Sequence, residues 1–241
     1  MTTVASGGDR AARVRWIAVA LLVGTVLYIA PSALHGNPPI ESAEKALRYV
    51  HDRPTWRIVH LVNILAVLLW AGGFSALAPL VAPRAVALRR AAATVFAATA
   101  AVFAVYFSIH AFGLPTLAND FFERGADQAA VLERTETVLV LLGSTAFTAQ
   151  AMLGLSIALC AALLVRARPS VLPAWLGWVG VAAGAGWLVG ALLVKFSVIV
   201  PFTVVAWVWW TVLAVLLLRR AGTAAEGDMA GAGRPERMAA G

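Results

Sequence analysis

The chain has 241 residues, of which 61% are apolar and 13% charged, and its formal net charge is +7 at pH 7. Soluble domains usually have about a quarter of their residues charged, so this composition excludes an ordinary soluble protein. The basic residues lie between long apolar stretches, which makes nucleic acid an unexpected partner. A single cysteine, Cys160, excludes a disulfide framework or a cysteine-based metal site within one chain.

Six long apolar stretches contain no Asp or Glu and predict membrane-spanning helices at residues 14–34, 58–82, 91–114, 138–165, 174–194 and 198–218. At a rise of about 1.5 Å per residue, each can cross a hydrocarbon core of about 30 Å. The first stretch resembles a signal peptide, but its apolar part is longer than a signal core of about 7–15 residues, so we interpret it as a span.

The predicted fold class is therefore all-α, a polytopic membrane bundle of six transmembrane helices. Residues 1–13 form a cytoplasmic N-terminal segment and residues 14–220 form the membrane domain. Residues 221–241 are rich in Gly and Ala without periodicity, which predicts a disordered cytoplasmic tail.

The distribution of charge between the spans predicts the orientation. Twelve Lys and Arg residues and four acidic residues lie on the side that contains both termini, against seven basic and eight acidic residues on the other side. The positive-inside rule places both termini in the cytoplasm. The richness in Ala and Arg is typical of a high-GC bacterium, so the expected location is the bacterial inner membrane, where the lipid bilayer is the main partner.

Both long outer loops show helical patterning. In residues 35–57, Asn37 and Pro38 fit an N-cap and first helical position, and apolar residues follow at helical spacing (Ile40, Ala43, Leu47 and Val50). The second loop, residues 115–137, carries five acidic residues. It is either a solvated loop helix or an acidic vestibule for cations.

The fifth span carries glycines on two faces. Gly177, Gly180 and Gly184 form one stripe, and Gly186 and Gly190 form a second, rotated pair. Small residues at this spacing let helices approach closely in lipid. The pattern predicts a helix with neighbours on both sides.

Tryptophans near the middle of the spans are candidates for contacts with a flat or apolar ligand, because an indole N–H at that depth needs an acceptor or a cavity. Trp70, Trp207 and Trp210 are the main ones, with plain interhelical packing as the alternative. Trp56 fits an interfacial anchor. Gln150 is a candidate ligand contact or a hydrogen-bonding link between helices, and Lys195 either contacts a ligand or extends to the headgroups.

All four histidines fall on the predicted outer side. His60 and His110 lie about one turn inside two antiparallel neighbouring spans, which predicts a similar depth for both. Arg57, Asn63 and Tyr106 lie three or four residues away and could orient the imidazoles. The pair could hold haem b or a divalent metal, or the histidines could be interfacial residues hydrogen-bonded to neighbours.

The segment from Leu172 to Gly184 reads LPAWLGWVGVAAG and is followed by an apolar run. It resembles the fifth span of uncharacterised six-span bacterial membrane proteins that are grouped as a domain of unknown function. The long outer loop after the first span is similar too. The resemblance implies a six-helix fold and brings no catalytic residues with it.

The sequence contains none of the motifs of metalloproteases, serine hydrolases or P-loop pumps. We therefore expect a non-catalytic membrane protein, without a cofactor, that binds or helps to move a small apolar or lipid-like ligand. A haem- or metal-binding redox protein and a structural or regulatory partner of a membrane complex are the alternatives.

Overall fold

The computed structural model describes residues 7–167 and 172–232 of the chain, and these residues are helical apart from short connections. The helices are α1 (Gly7–His35), α2 (Ala43–His51), α3 (Trp56–Val81), α4 (Val86–Ser108), α5 (Leu114–Phe122), α6 (Gln128–Arg166), α7 (Ala174–Leu192) and α8 (Phe196–Ala232), with a π-helical turn at Ile109–Gly113 between α4 and α5. The all-helical prediction is confirmed.

Six stretches of helix in the described part of the chain are long and apolar enough to cross a membrane. They are Gly8–His35, Trp56–Val81, Val86–Phe122, Gln128–Arg166, Ala174–Leu192 and Phe196–Thr223. Each contains or closely overlaps one predicted span. The hydrophobic stretches of the sequence therefore located the long helices correctly.

Two of these helices extend far beyond the predicted ends of their spans. Residues 115–137, predicted as a long loop with some helix, mostly continue the helices on either side, and the connection itself is only residues 123–127. Polar residues such as Glu133 and Glu136 continue α6 because a helix that leaves the membrane keeps its own backbone hydrogen bonds in water.

Helix α6 is the centre of the bundle. It packs most extensively on α7 and also on α4, whereas α1 packs between α3 and α8. Buried apolar side chains from all six long helices form one continuous core. A second, smaller core joins α2, α5 and the start of α6 around Leu47, Leu114 and Phe121. That second core caps the end of the bundle where α1 ends and α3 begins, which we call the histidine end.

The glycines of α7 contact helices on two sides, as their spacing predicted. A Cβ atom at Gly184 would lie 2.5 Å from the backbone nitrogen of Ala158 in α6. A Cβ atom at Gly186 would overlap the Phe202 ring in α8. The glycines allow α7 to lie in direct backbone contact with α6 and close against α8.

The loop helix α2 begins later than predicted. Ser42, not Asn37, is the N-cap, and its hydroxyl accepts a hydrogen bond from the Lys45 amide at 3.3 Å. Pro38 precedes a second proline, Pro39, which disfavours helical backbone at Pro38 and so prevents a start there. Ala43, Leu47 and Val50 of the predicted pattern share the buried face of α2, whereas Ile40 precedes the helix and is exposed.

The predicted tail is partly helical. Helix α8 continues to Ala232, past the predicted start of the tail at residue 221. Residues 221–232 include five alanines, and alanine has the highest helix propensity, which favours continuation of the helix. Residues 233–241 of the predicted tail lie outside the described residues.

Candidate functional site

A proline sets the geometry of the histidine end. Pro115 has no N–H, so the carbonyl of Ala111, four residues earlier, cannot receive its usual helical hydrogen bond. Immediately before the proline the helix widens into the π-helical turn, in which the Leu114 amide donates to the Ile109 carbonyl. In an α-helix, the Leu114 amide would instead donate to the His110 carbonyl. Two carbonyls of the turn, His110 and Ala111, therefore lack their α-helical partners.

Side chains at the start of α3 donate to these two carbonyls. The Trp56 indole nitrogen donates to the His110 carbonyl at 2.8 Å, and the Arg57 Nε donates to the Ala111 carbonyl at 3.2 Å. Trp56 is only 2% exposed. The first turn of α3 is thereby fixed to the π-helical turn, which places His110 against α3.

Three imidazoles meet at this junction. The rings of His60 and His110 are stacked, with centroids 4.5 Å apart and planes 3° from parallel. The His35 ring lies 4.8 Å from His60 and stacks on Trp56 at 4.7 Å. We call His35, Trp56, His60 and His110 the histidine cluster. His60 and His110 are 3% and 6% exposed, so their imidazoles are turned to the interior and not to lipid.

The stacked pair does not fit a haem or a metal held between the two rings. The lone pair of an imidazole nitrogen lies in the plane of the ring, whereas His60 and His110 oppose each other face to face. Two axial haem ligands must direct those lone pairs at the iron from opposite sides of the porphyrin. In the described residues, no group of three or more His, Cys, Asp or Glu side chains is arranged to hold a metal ion.

The residues predicted to support the imidazoles have other partners. His60 Nδ1 bonds to the Trp56 carbonyl at 2.8 Å, one turn back on its own helix. Arg57 bonds to the π-helical turn, as described above, and the Asn63 amide donates to the Ser32 hydroxyl at 3.3 Å. Tyr106 does contact His110, with ring centroids 4.8 Å apart in an edge arrangement.

The sequence reasoning missed the roles of Trp56 and His35. Trp56 was interpreted as an interfacial anchor, yet it is buried and bonded to a backbone carbonyl. Pro115 is the sequence feature that could have indicated this role of Trp56. A proline inside a helix leaves the carbonyl four residues earlier free to accept a hydrogen bond from another donor. Nothing in the spacing showed that the end of α1 would bring His35 to the same place.

The mid-span tryptophans pack against one another. Trp70 and Trp210 stack with centroids 4.2 Å apart, and both are fully buried. The Trp70 indole donates to Thr25 at 3.3 Å, and Trp207 lies 6.3 Å from Tyr28. Neither of the two clefts described below is lined by Trp70, Trp207 or Trp210. A ligand contact at these tryptophans stays a prediction that the packing does not support.

Gln150 and Lys195 occupy different environments. The Gln150 side-chain oxygen accepts a hydrogen bond from the Trp187 indole at 2.6 Å, which links α6 to α7. This is the interhelical link that was one of the two interpretations. Lys195 is exposed just after α7, and its backbone amide bonds to the Gly190 carbonyl.

A cleft lies at the histidine end, between the start of α2 and α6. It has a volume of about 550 Å³ and is lined by Ile40, Glu41, Ser42, Ala43, Glu44, Leu132, Glu136, Leu139 and Val140. We call it the α2–α6 cleft. A second, apolar void of about 10 Å³ lies between α3 and α6 in the other half of the bundle. The α2–α6 cleft is of ligand size, and it is distinct from the histidine cluster.

Within residues 7–167 and 172–232, six helices have the length and hydropathy to span a membrane, and they define the class of this chain as a multi-pass membrane protein. Comparison with family models, with curated proteins and with solved structures gave no match.

Proposed function

We propose that this chain is a multi-pass protein of a bacterial inner membrane that binds a lipid-like amphiphile in the α2–α6 cleft. The orientation proposed from the loop charges places both termini in the cytoplasm and the histidine end outside. The cleft then opens on the outer leaflet. One observation carries the proposal: a cleft of about 550 Å³ combines an apolar lining with several carboxylates.

The apolar part of the lining suits a hydrocarbon chain. Leu132, Leu139 and Val140 follow one another along α6, and Ile40 faces them from the other wall. The side chains of Val140 and Ile40 are 72% and 66% exposed. They therefore present a large apolar surface beside the charged groups of the cleft. Ligand sites commonly have volumes of about 300–1,000 Å³ and a mostly apolar lining with a few polar groups.

The charged part of the lining favours an ammonium headgroup. Three carboxylates border the cleft, and only that of Glu44 is paired among the ion pairs described, with Arg48 at 2.8 Å. Glu41 and Glu136 belong to none of the ion pairs described and leave negative charge beside the apolar lining. A membrane amphiphile with a primary or quaternary amine in its headgroup complements both features.

Crosslinking tests this proposal. The purified protein in nanodiscs would receive trace photoreactive lipids that are alike except for an aminoethyl or an uncharged headgroup, and the crosslinked peptides would be mapped by mass spectrometry. We expect the amino lipid to label peptides that contain Ile40 or Leu139. The double variant Glu41→Gln, Glu136→Gln should reduce this labelling several-fold.

Glu133→Gln supplies the matched control, because Glu133 lies on the same helix but does not line the cleft. It should label like the unmodified protein. Labelling spread evenly over the lipid-facing helices would overturn the proposal. A crosslink from the cleft peptides to a co-purifying protein, and not to lipid, would also overturn the proposal. That result would favour a partner in a membrane complex.

A further inference from the structure

A polar stripe runs along α1 and faces α3. Thr25, Tyr28, Ser32 and His35 recur at intervals of three and four residues, so they share one face of the helix. Trp70 donates to Thr25, Asn63 donates to Ser32, and the His60 ring lies against His35. These contacts define a polar seam between α1 and α3, which runs from the histidine end to the middle of the bundle.

Buried polar atoms without a protein partner concentrate along this seam. In the described residues, six buried side-chain nitrogen or oxygen atoms have no hydrogen-bond partner, and five belong to His35, Asn63, His110, Trp207 and Trp210. Trp210 stacks on Trp70, and Trp207 contacts Tyr28, so both indoles adjoin the seam. Asn63, His110 and Trp210 are at least nine-tenths buried.

Four of these five atoms have a defined role, as acceptors at one end of the seam and donors at the other, and the fifth, His110 Nδ1, donates or accepts according to its tautomer. His35 Nδ1 bonds to the Gly36 carbonyl and so carries the proton, which leaves Nε2 as an acceptor. The Asn63 amide nitrogen is already used, which leaves its oxygen as an acceptor too. The unpartnered atoms of Trp207 and Trp210 are indole N–H donors.

The occupant must therefore donate hydrogen bonds near the histidines and accept them near the tryptophans. Water does both and is small enough to lie between packed helices. A metal ion could bond only to the acceptors, and an anion only to the indoles. Leaving such groups unpaired in a membrane interior costs more free energy than ordering a water molecule beside them.

The opposite half of the bundle provides the contrast. There the small void is lined by Phe74, Leu77, Ala78, Val81, Cys160, Leu163 and Leu164. With no polar side chain except a thiol, this void of about 10 Å³ lacks the hydrogen-bond partners that a buried water molecule needs. The polar seam ends where this apolar packing begins, at the stacked pair of Trp70 and Trp210.

We infer that the polar seam binds a file of water molecules and forms a hydrated half-channel, which leads from the histidine end of the bundle to the Trp70–Trp210 stack. The remaining half is dry. The seam is separate from the α2–α6 cleft and independent of what binds there.

Tryptophan NMR tests this inference. In ¹⁵N-tryptophan-labelled protein in nanodiscs, the indole protons of Trp207 and Trp210 should show magnetisation transfer from water. Trp209 is the matched control, because it is equally buried but its indole donates to the Leu176 carbonyl at 2.7 Å. We expect no transfer to Trp209. Transfer to none of the three indoles, or to all three equally, would overturn the inference.

A second measurement does not depend on the assignment of NMR signals to individual tryptophans. X-ray radiolysis produces hydroxyl radicals from water inside a protein, and mass spectrometry then locates the oxidised side chains. Oxidation of Trp210 should exceed that of Trp209 at least severalfold, although the two residues are adjacent. Equal oxidation, or none at either residue, would show that the seam is dry.

Discussion

At the scale of single residues, Trp56 connects the backbone of one helix to the side chains of another. Its indole ring contacts His35 and His60, while its N–H satisfies a carbonyl that the π-helical turn leaves without its α-helical partner. A buried carbonyl without a partner costs free energy. The hydrogen bond from Trp56 therefore stabilises the folded state, although Trp56 lies at the end of a helix.

Trp56→Phe keeps most of the ring and removes the donor. We expect a loss of about 1 kcal/mol in the free energy of unfolding, because the His110 carbonyl loses its partner. Urea or SDS titration of the purified protein measures it. Trp16→Phe is the control, since Trp16 is 73% exposed and should change stability little. Equal effects of the two substitutions would contradict the assigned role of Trp56.

At the scale of elements, the helix that contains His110 shows what the sequence could and could not predict. Hydropathy predicted a span ending near residue 114, and the antiparallel arrangement predicted that His60 and His110 would lie at a similar depth. The pair is in contact, as that argument requires. The face-to-face stacking was not predictable, because neither hydropathy nor residue spacing locates the π-helical turn that contains His110.

Pro115→Ala tests the cause of that turn. Alanine restores the missing N–H, so the segment can form a regular α-helix and His110 should rotate away from His60. The ¹⁵N and ¹H signals of the His60 and His110 imidazoles should then lose their ring-current shifts. Pro201→Ala, at another proline within a helix, should leave both signals unchanged. Unchanged signals in Pro115→Ala would show that another contact fixes the turn.

The glycine spacing of α7 predicted neighbours on two sides of this helix but did not name them. In lipid, hydrophobicity does not drive helices together. Small residues repeated every three or four positions instead let the backbones of two helices approach closely. The structure places Gly154 of α6 opposite Gly184, although the sequence reasoning had considered only the α7 stripe. The partner helix could not be named from one stripe because several helices contain small residues.

Gly184→Ala tests this packing. The new Cβ atom would lie 2.5 Å from the Ala158 nitrogen and 2.6 Å from the Gly154 oxygen, and neither backbone atom can move freely. We expect destabilisation by about 1–3 kcal/mol in an unfolding titration. Gly143→Ala on α6 has no atom within 4 Å and should be neutral or slightly stabilising, as helix propensity predicts. A neutral Gly184→Ala would mean that α6 and α7 lie farther apart than described.

At the scale of the whole molecule, the bundle has two unlike ends. The histidine end contains the capping core, the α2–α6 cleft, the start of the polar seam and most of the acidic residues. The opposite end carries mainly arginines, and the bundle interior next to it is apolar. Charge counting could predict this asymmetry, since it depends only on which loop each residue occupies. The cleft and the seam depend on how helices distant in sequence meet, which no local pattern contains.

The account depends on the direction in which this asymmetric bundle crosses the membrane. Cysteine labelling measures that direction, because the natural Cys160 is buried and should give little background. Single variants His51→Cys and Ala87→Cys place exposed thiols at the two ends. In intact bacterial cells, a membrane-impermeant maleimide should label His51→Cys at once and Ala87→Cys only after the membrane is opened. Labelling of Ala87→Cys in intact cells, with His51→Cys protected, would contradict the account.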